Sequence, residues 1–181
     1  MRRRNSAVLA ISLALLALTG CGYALAGRGS FLPETIKTIG VPLLINNTTA
    51  FDVEQTLTAR LRTEFISRGK YKVVPETAGA DAVLTGEIAA ISIQPTAFND
   101  QQQATRYVVV MVAKMEFRDV LQNRVLWENP SLVFREEYDL ATATTVDATD
   151  LTAFFGGGSN ALERISQDFG RTVVASILES F

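Results

Sequence analysis

The chain has 181 residues, 48% of them hydrophobic and 20% charged, with 17 Lys and Arg against 19 Asp and Glu and a formal net charge of −2. That length suits one domain around one sizeable core, and the mildly acidic balance carries no basic footprint for nucleic acid. There is no histidine and only one cysteine, which excludes Ser-His-Asp and Cys-His catalysis and zinc sites built on Cys and His.

The chain opens on a leader. Arg2, Arg3 and Arg4 are followed by an apolar run from Ala7 to Leu18, broken only by Ser12, and then by the small residues Thr19 and Gly20 before Cys21. This is the order of a secretory signal, and the run is too short to span a bilayer, which takes ~20 apolar residues. Leu18-Thr19-Gly20-Cys21 resembles a bacterial lipobox. The resemblance implies cleavage before Cys21 and a lipid-modified N-terminus, a triacylated cysteine with palmitate-type chains. Several acyl chains anchor a protein stably where one does not, at ~0.8 kcal/mol per buried CH₂. Gly22 stands where lipoproteins of this kind carry an Asp for inner-membrane retention, so the outer membrane is expected. Loss of Arg2, Arg3 and Arg4 takes the net charge from −2 to −5. The expected division is a signal peptide over 1–20, a lipidated tether over 21–34 and one domain over 35–181.

The domain begins with a β-branched strand from about Ile36 to Val41, ended by Pro42. Asn46-Asn47-Thr48-Thr49 reads as a turn, with Thr49 three residues before Asp52 in the manner of a capping box. Val53, Leu57, Leu61 and Phe65 then recur every four residues and predict a helix. Arg60, Glu64 and Arg68 fall into i,i+4 pairs on its other side, and Gly69 suits the C-cap. Lys70 to Val74 is a short strand stopped by Pro75, and Glu76 to Ala80 a loop. Asp81 opens a longer strand to about Ile93. Gln94 to Gln103, with Pro95 and Phe98 inside it, reads as a long polar hairpin loop.

In the next strand Tyr107, Val109, Met111, Ala113, Met115 and Phe117 share one face. Val108, Val110 and Val112 share the other, which turns polar at Lys114, Glu116 and Arg118. That pattern belongs to an antiparallel sheet covered mainly on one side. Gln122-Asn123 makes a tight turn, Arg124 to Trp127 pairs back, Asn129-Pro130 bends the chain, and Ser131 to Tyr138 continues extended. Residues 141–150 carry no pattern, Gly156-Gly157-Gly158 interrupts, and Ser159 caps a last helix striped by Leu162, Ile165, Phe169, Val173 and Ile177. The expected fold is α+β: two helices packed on one face of a mixed, largely antiparallel sheet of about four to five strands.

Chemistry is sparse. The triple glycine lacks the GK[ST] of a phosphate loop. Glu136 and Glu137 are adjacent on a strand and point to opposite faces, so they cannot converge on one bond. No catalytic, cofactor or metal site is expected, and a binding or assembly role is favoured over an enzyme. Trp127, the single Trp, is assigned to core or interface packing.

CGYALAG, LPETIKTIGVPLLINNT, LTARLRTEFISRG, ADAVLTGEIAAISI, RYVVVMVAKMEFRDV and RVLWENPSLVFREEYDL, in this order, resemble the LptE family of outer-membrane lipopolysaccharide-assembly lipoproteins. The resemblance implies a lipid-anchored plug inside a large β-barrel, LptD, that helps the barrel assemble and meets lipopolysaccharide on its way to the outer leaflet. The partners expected are therefore that barrel, lipopolysaccharide and, through the anchor, the membrane. GADAVLTGEI also resembles a strand of lipoproteins that activate peptidoglycan synthases or form secretion pores. The IGVP opening followed at once by a helix, and the long strand pair after ADAVLTGEI, favour LptE.

Candidate contacts follow. Phe98 would anchor residues 94–106 against the barrel, unless that segment is only a solvated tip. Arg106, Lys114, Arg118 and Arg124 are the groups able to meet lipopolysaccharide phosphates; scattered basic residues at sheet edges also serve against aggregation. Cys21 is the lipidation site.

Overall fold

The computed structural model describes residues 32–68, 70–139, 155 and 161–180. The elements are β1 (Thr38–Gly40), β2 (Ile45–Asn46), α1 (Val53–Ser67), β3 (Lys72–Val74), β4 (Ala82–Phe98), β5 (Ala104–Asp119), β6 (Arg124–Asp139) and α2 (Ala161–Glu179). They form an α+β fold with one six-stranded mixed sheet in the order β3-β1-β4-β5-β6, β2 pairing with β4 off that path. The first strands pair in parallel, β1 with β3 and β4, and β2 with β4. The long strands β4, β5 and β6 are antiparallel. The strand count exceeds the expected four to five by the two-residue β2, too short to leave a sequence pattern.

The stripe read in the sequence makes α1 bury Val53, Leu57, Leu61 and Phe65, and Thr58 beside them. The capping box does not form. Asp52 is the N-cap with φ 62 and no side-chain cap bond. Asn46 organises the turn instead: its amide donates to Ala50 O at 2.7 Å and Glu54 Oε2 at 2.8 Å, and its Oδ1 accepts from Thr48 N and Oγ1. Of the expected pairs on the far side of α1, Arg68 meets Glu64 at 3.0 Å. Arg60 instead turns toward α2, where a Cβ on Gly170 would lie 2.9 Å from its Cγ. The absence of a side chain at 170 thus lets the two helices approach.

Two corrections concern the long strands. Residues 94–98 are not loop: β4 runs on to Phe98 and the connection is only residues 99–103. Pro95 is tolerated because β2 pairs with β4 only as far as Ile88, so the distal half of β4 is a sheet edge, and because the register shifts between Pro95 and Ala97. Nor does Asn129-Pro130 break β6. The strand passes through, and a register shift opposite Ala113 and Met115 absorbs the proline.

Tyr107, Val109, Met111, Ala113, Met115 and Phe117 are all buried, as the alternation requires. α2 covers them with Ile165, Phe169, Val173 and Ile177. Phe134 meets Phe169 edge-on at 5.3 Å, and Phe65 stacks with Phe117 at 6.4 Å. Each such burial stabilises by ~1.5–3 kcal/mol. Trp127 is half-buried against this core, in register with Phe117. Cys21, Gly69, residues 141–150, the triple glycine and Ser159 lie outside the described residues.

Candidate functional site

Both helices lie on one face of the sheet, so the other face is the place to look for contacts. It is positioned from the parallel corner. The Asp81 carboxylate accepts the backbone N–H groups of Lys37 (2.9 Å) and Thr38 (2.8 Å), which lowers its pKa and clamps the start of β1 to the start of β4. A Cβ at Gly40 would sit 2.6 Å from Glu76 O, so only glycine admits the passing loop. Arg62 donates from Nε and an Nη to Val41 O at 2.9 and 2.7 Å, closing the strand end that Pro42 leaves.

On β5 the open face reads Arg106, Val108, Val110, Val112, Lys114, Glu116 and Arg118, with charge at both ends and half-buried valines between. Val133 of β6, opposite Val112, is 50% exposed. Lys114 pairs with Glu87, which Asn47 also approaches at 3.3 Å, and the lysine holds the Glu87 carboxyl below its usual range. Arg118 Nε donates to Glu116 at 2.8 Å and an Nη reaches Asn123 Oδ1 at 3.3 Å. Glu128 stands opposite Glu116 across the β5–β6 pair. Beside these pairs runs an open groove of about 510 Å³, walled by Leu43 and Ile45 on one side and by Glu128 and Pro130 on the other. Sequence reading missed these walls. Pro130 was visible only as a bend, and nothing in LLIN marks which of its apolar residues turn outward.

The expected contact residues do not converge. Phe98, 61% exposed, and Arg106 lie near the β4–β5 tip. Arg118 and Arg124 lie at the far end of the sheet, roughly 45 Å away at the rise of a strand. The tip itself is ordered: Asn99 Oδ1 accepts from Gln101 N and Gln103 N, and Asn99 N donates to Gln103 O at 2.9 Å.

At the tip end β6 locks to α2. Tyr138 Oη donates to Ala161 O at 2.9 Å, Arg164 lies 5.1 Å above the Tyr138 ring, and Arg164 pairs with Glu136 at 2.7 Å. Burial, with Glu136 adding to it, pushes the Tyr138 phenol up to about 12. Among the described residues no three His, Cys, Asp or Glu side chains gather as a metal site. The arrangement offers surfaces and paired charges, suited to holding a partner.

The sequence profile described as LptE, lipopolysaccharide-assembly, matches residues 36–177. No curated protein sequence matches the chain. Among solved structures, a hypothetical protein from Chlamydia trachomatis is similar with a TM-score of 0.52 at 11% identity, covering 80% of this chain and 97% of that one. Uncharacterized lipoprotein B from Nitrosomonas europaea is similar with a TM-score of 0.51 at 14% identity, covering 87% and 88%. At these identities the two likenesses show the fold.

Proposed function

The chain belongs to the LptE family, and on that premise we propose that it is an outer-membrane lipoprotein, anchored on the periplasmic face by acylated Cys21, that plugs and helps assemble an LptD-like β-barrel in lipopolysaccharide transport to the outer leaflet. The observation that carries this reading is the family match over residues 36–177, nearly the whole of the described domain. Its physical support is a rigid three-stranded meander with a polar, self-satisfied tip and a face of mutually paired charges. Such a body suits the polar lumen of a large barrel. Its role is non-catalytic. In this proposal Phe98 is the apolar anchor of the β4–β5 tip. Arg106, Lys114, Arg118 and Arg124 are the groups offered to lipopolysaccharide, although a phosphate has to displace Glu87 or Glu116 to reach Lys114 or Arg118.

A pull-down from detergent-solubilised outer membranes tests the reading. A large β-barrel recovered one-to-one is expected, and its absence overturns the plug. Deletion of residues 99–103 is expected to weaken that complex; undiminished recovery removes the tip from the interface. Charge reversal of Lys114 and Arg118 with unchanged lipopolysaccharide binding removes them as lipid contacts.

A further inference from the structure

The described chain begins at one end of the sheet. β1 runs parallel to β3 and β4, so Lys37, Lys70, Lys72 and Asp81 are neighbours there. The β5–β6 turn joins them, since Val120 N donates to Asp81 O at 2.9 Å. Cys21 is eleven residues before Leu32, a reach of at most roughly 40 Å. On the proposed Cys21 anchor, the attachment enters the described domain at this end, where its first residues lie, opposite the β4–β5 tip.

Two properties set this end apart. Leu121 is 72% exposed and Val120 45%. They sit in a well-formed turn, with Gln122 N donating to Asp119 Oδ1 at 2.9 Å and Asn123 at φ 48, which holds both aliphatics outward. The second property is charge. Lys37, Lys70, Lys72 and Arg124 are all exposed here, against the carboxylates of Glu34, of Asp81, whose Oδ2 accepts two N–H groups, and of the buried Asp119 opposite Arg124. Arg118 and Arg68 are balanced by Glu116 and Glu64. A local basic excess on an acidic chain is a departure from its average.

We propose that this end is a lipid-docking surface for the free lipoprotein: Val120 and Leu121 enter the headgroup–acyl boundary while Lys37, Lys70, Lys72 and Arg124 meet anionic phospholipid headgroups. The inference rests on the Cys21 anchor. That anchor supplies the high effective concentration at which a small patch suffices, and the patch adds the second signal that fixes orientation. Docked this way, the domain presents the β4–β5 tip away from the bilayer, toward whatever it captures.

The experiment uses the mature lipoprotein in vesicles of phosphatidylethanolamine and phosphatidylglycerol, or of phosphatidylcholine alone. A fluorophore is placed on Gln122→Cys or on Asp100→Cys, each the only thiol left free by acylation, and is quenched by lipids spin-labelled near the headgroup. Strong quenching at 122, weak quenching at 100, and a loss at 122 in phosphatidylcholine are expected. Lys72→Glu with Arg124→Glu is expected to lower the docked-to-undocked ratio about fivefold or more for each charge, the size of one cation's attraction to an anionic leaflet. Mass spectrometry separates the two ways of failing. Without acyl mass on Cys21 the anchor falls and docking with it. With acyl mass present, equal quenching at both positions, or protection of 122 only after a barrel is added, overturns docking and leaves the anchor standing.

Discussion

The parallel corner and the antiparallel meander of this sheet are built on different terms. In the corner, Gly40, Asp81 and Arg62 are committed to backbone groups of neighbouring segments, at separations too tight to vary. On the open face of the meander, Glu87 pairs with Lys114 and Glu116 with Arg118, side chain to side chain, Asn47 and Asn123 adding longer bonds, and apolar groups such as Val133 face outward. The difference teaches that the corner and the helix-covered face hold the fold, while the open face is free for contact. Substitutions there should leave the fold intact.

That contrast can be tested in descending order of effect. Phe169→Ala removes a fully buried ring that meets Phe134 and is expected to cost ~3–5 kcal/mol in chemical denaturation. Gly40→Ala places a Cβ 2.6 Å from a backbone oxygen that no rotamer can relieve. A loss of ~1–3 kcal/mol is expected, and an unchanged midpoint would mean that the corner is pliable. Tyr138→Phe deletes the bond to Ala161 O, costing about 1 kcal/mol.

The same tyrosine sets a pH dependence. Its folded pKa is raised above its ordinary 10.0 to about 12, so its contribution is complete below pH 10 and is lost as pH rises from there toward 12. Stability measured across that window is expected to fall in the parent and less in Tyr138→Phe. Asp81 runs the other way. Its folded pKa is lowered, so its contribution is present above the ordinary carboxylate range and disappears as pH falls through the folded value. Asp81→Ala is expected to cost about 1 kcal/mol at neutral pH and to flatten part of the acid limb. Smallest of all, Lys114→Ala on the open face is expected to change stability by ~0–0.5 kcal/mol. A large loss there would erase the distinction between the two regions.

Periodicity made both helices and the buried side of β5 readable, because a stripe at Val53, Leu57, Leu61 and Phe65, or an alternation from Tyr107 to Phe117, states which side faces the core. Where local chemistry has more than one outcome, reading failed. Pro95 ends a central strand but costs nothing on an edge. Whether β4 is an edge at residue 95 depends on where β2 stops, at Asn46, half a chain-segment away in sequence. Thr49 and Asp52 satisfied the spacing of a capping box, yet Asn46 held the turn first. The candidate contacts were each visible by residue type, but their separation along the sheet was not.

By itself the sequence determined the leader pattern, the two amphipathic helices, the alternating strands and the lack of histidine chemistry, since these depend on residue type and on spacing within one element. Tertiary structure alone decided that Asp81 clamps β1, that Lys114 and Arg118 are neutralised by carboxylates, and that Lys37, Lys72, Arg124 and the Val120–Leu121 turn share one end. Those facts depend on pairing register and strand order, which bring distant residues within bonding distance and leave no trace in local pattern.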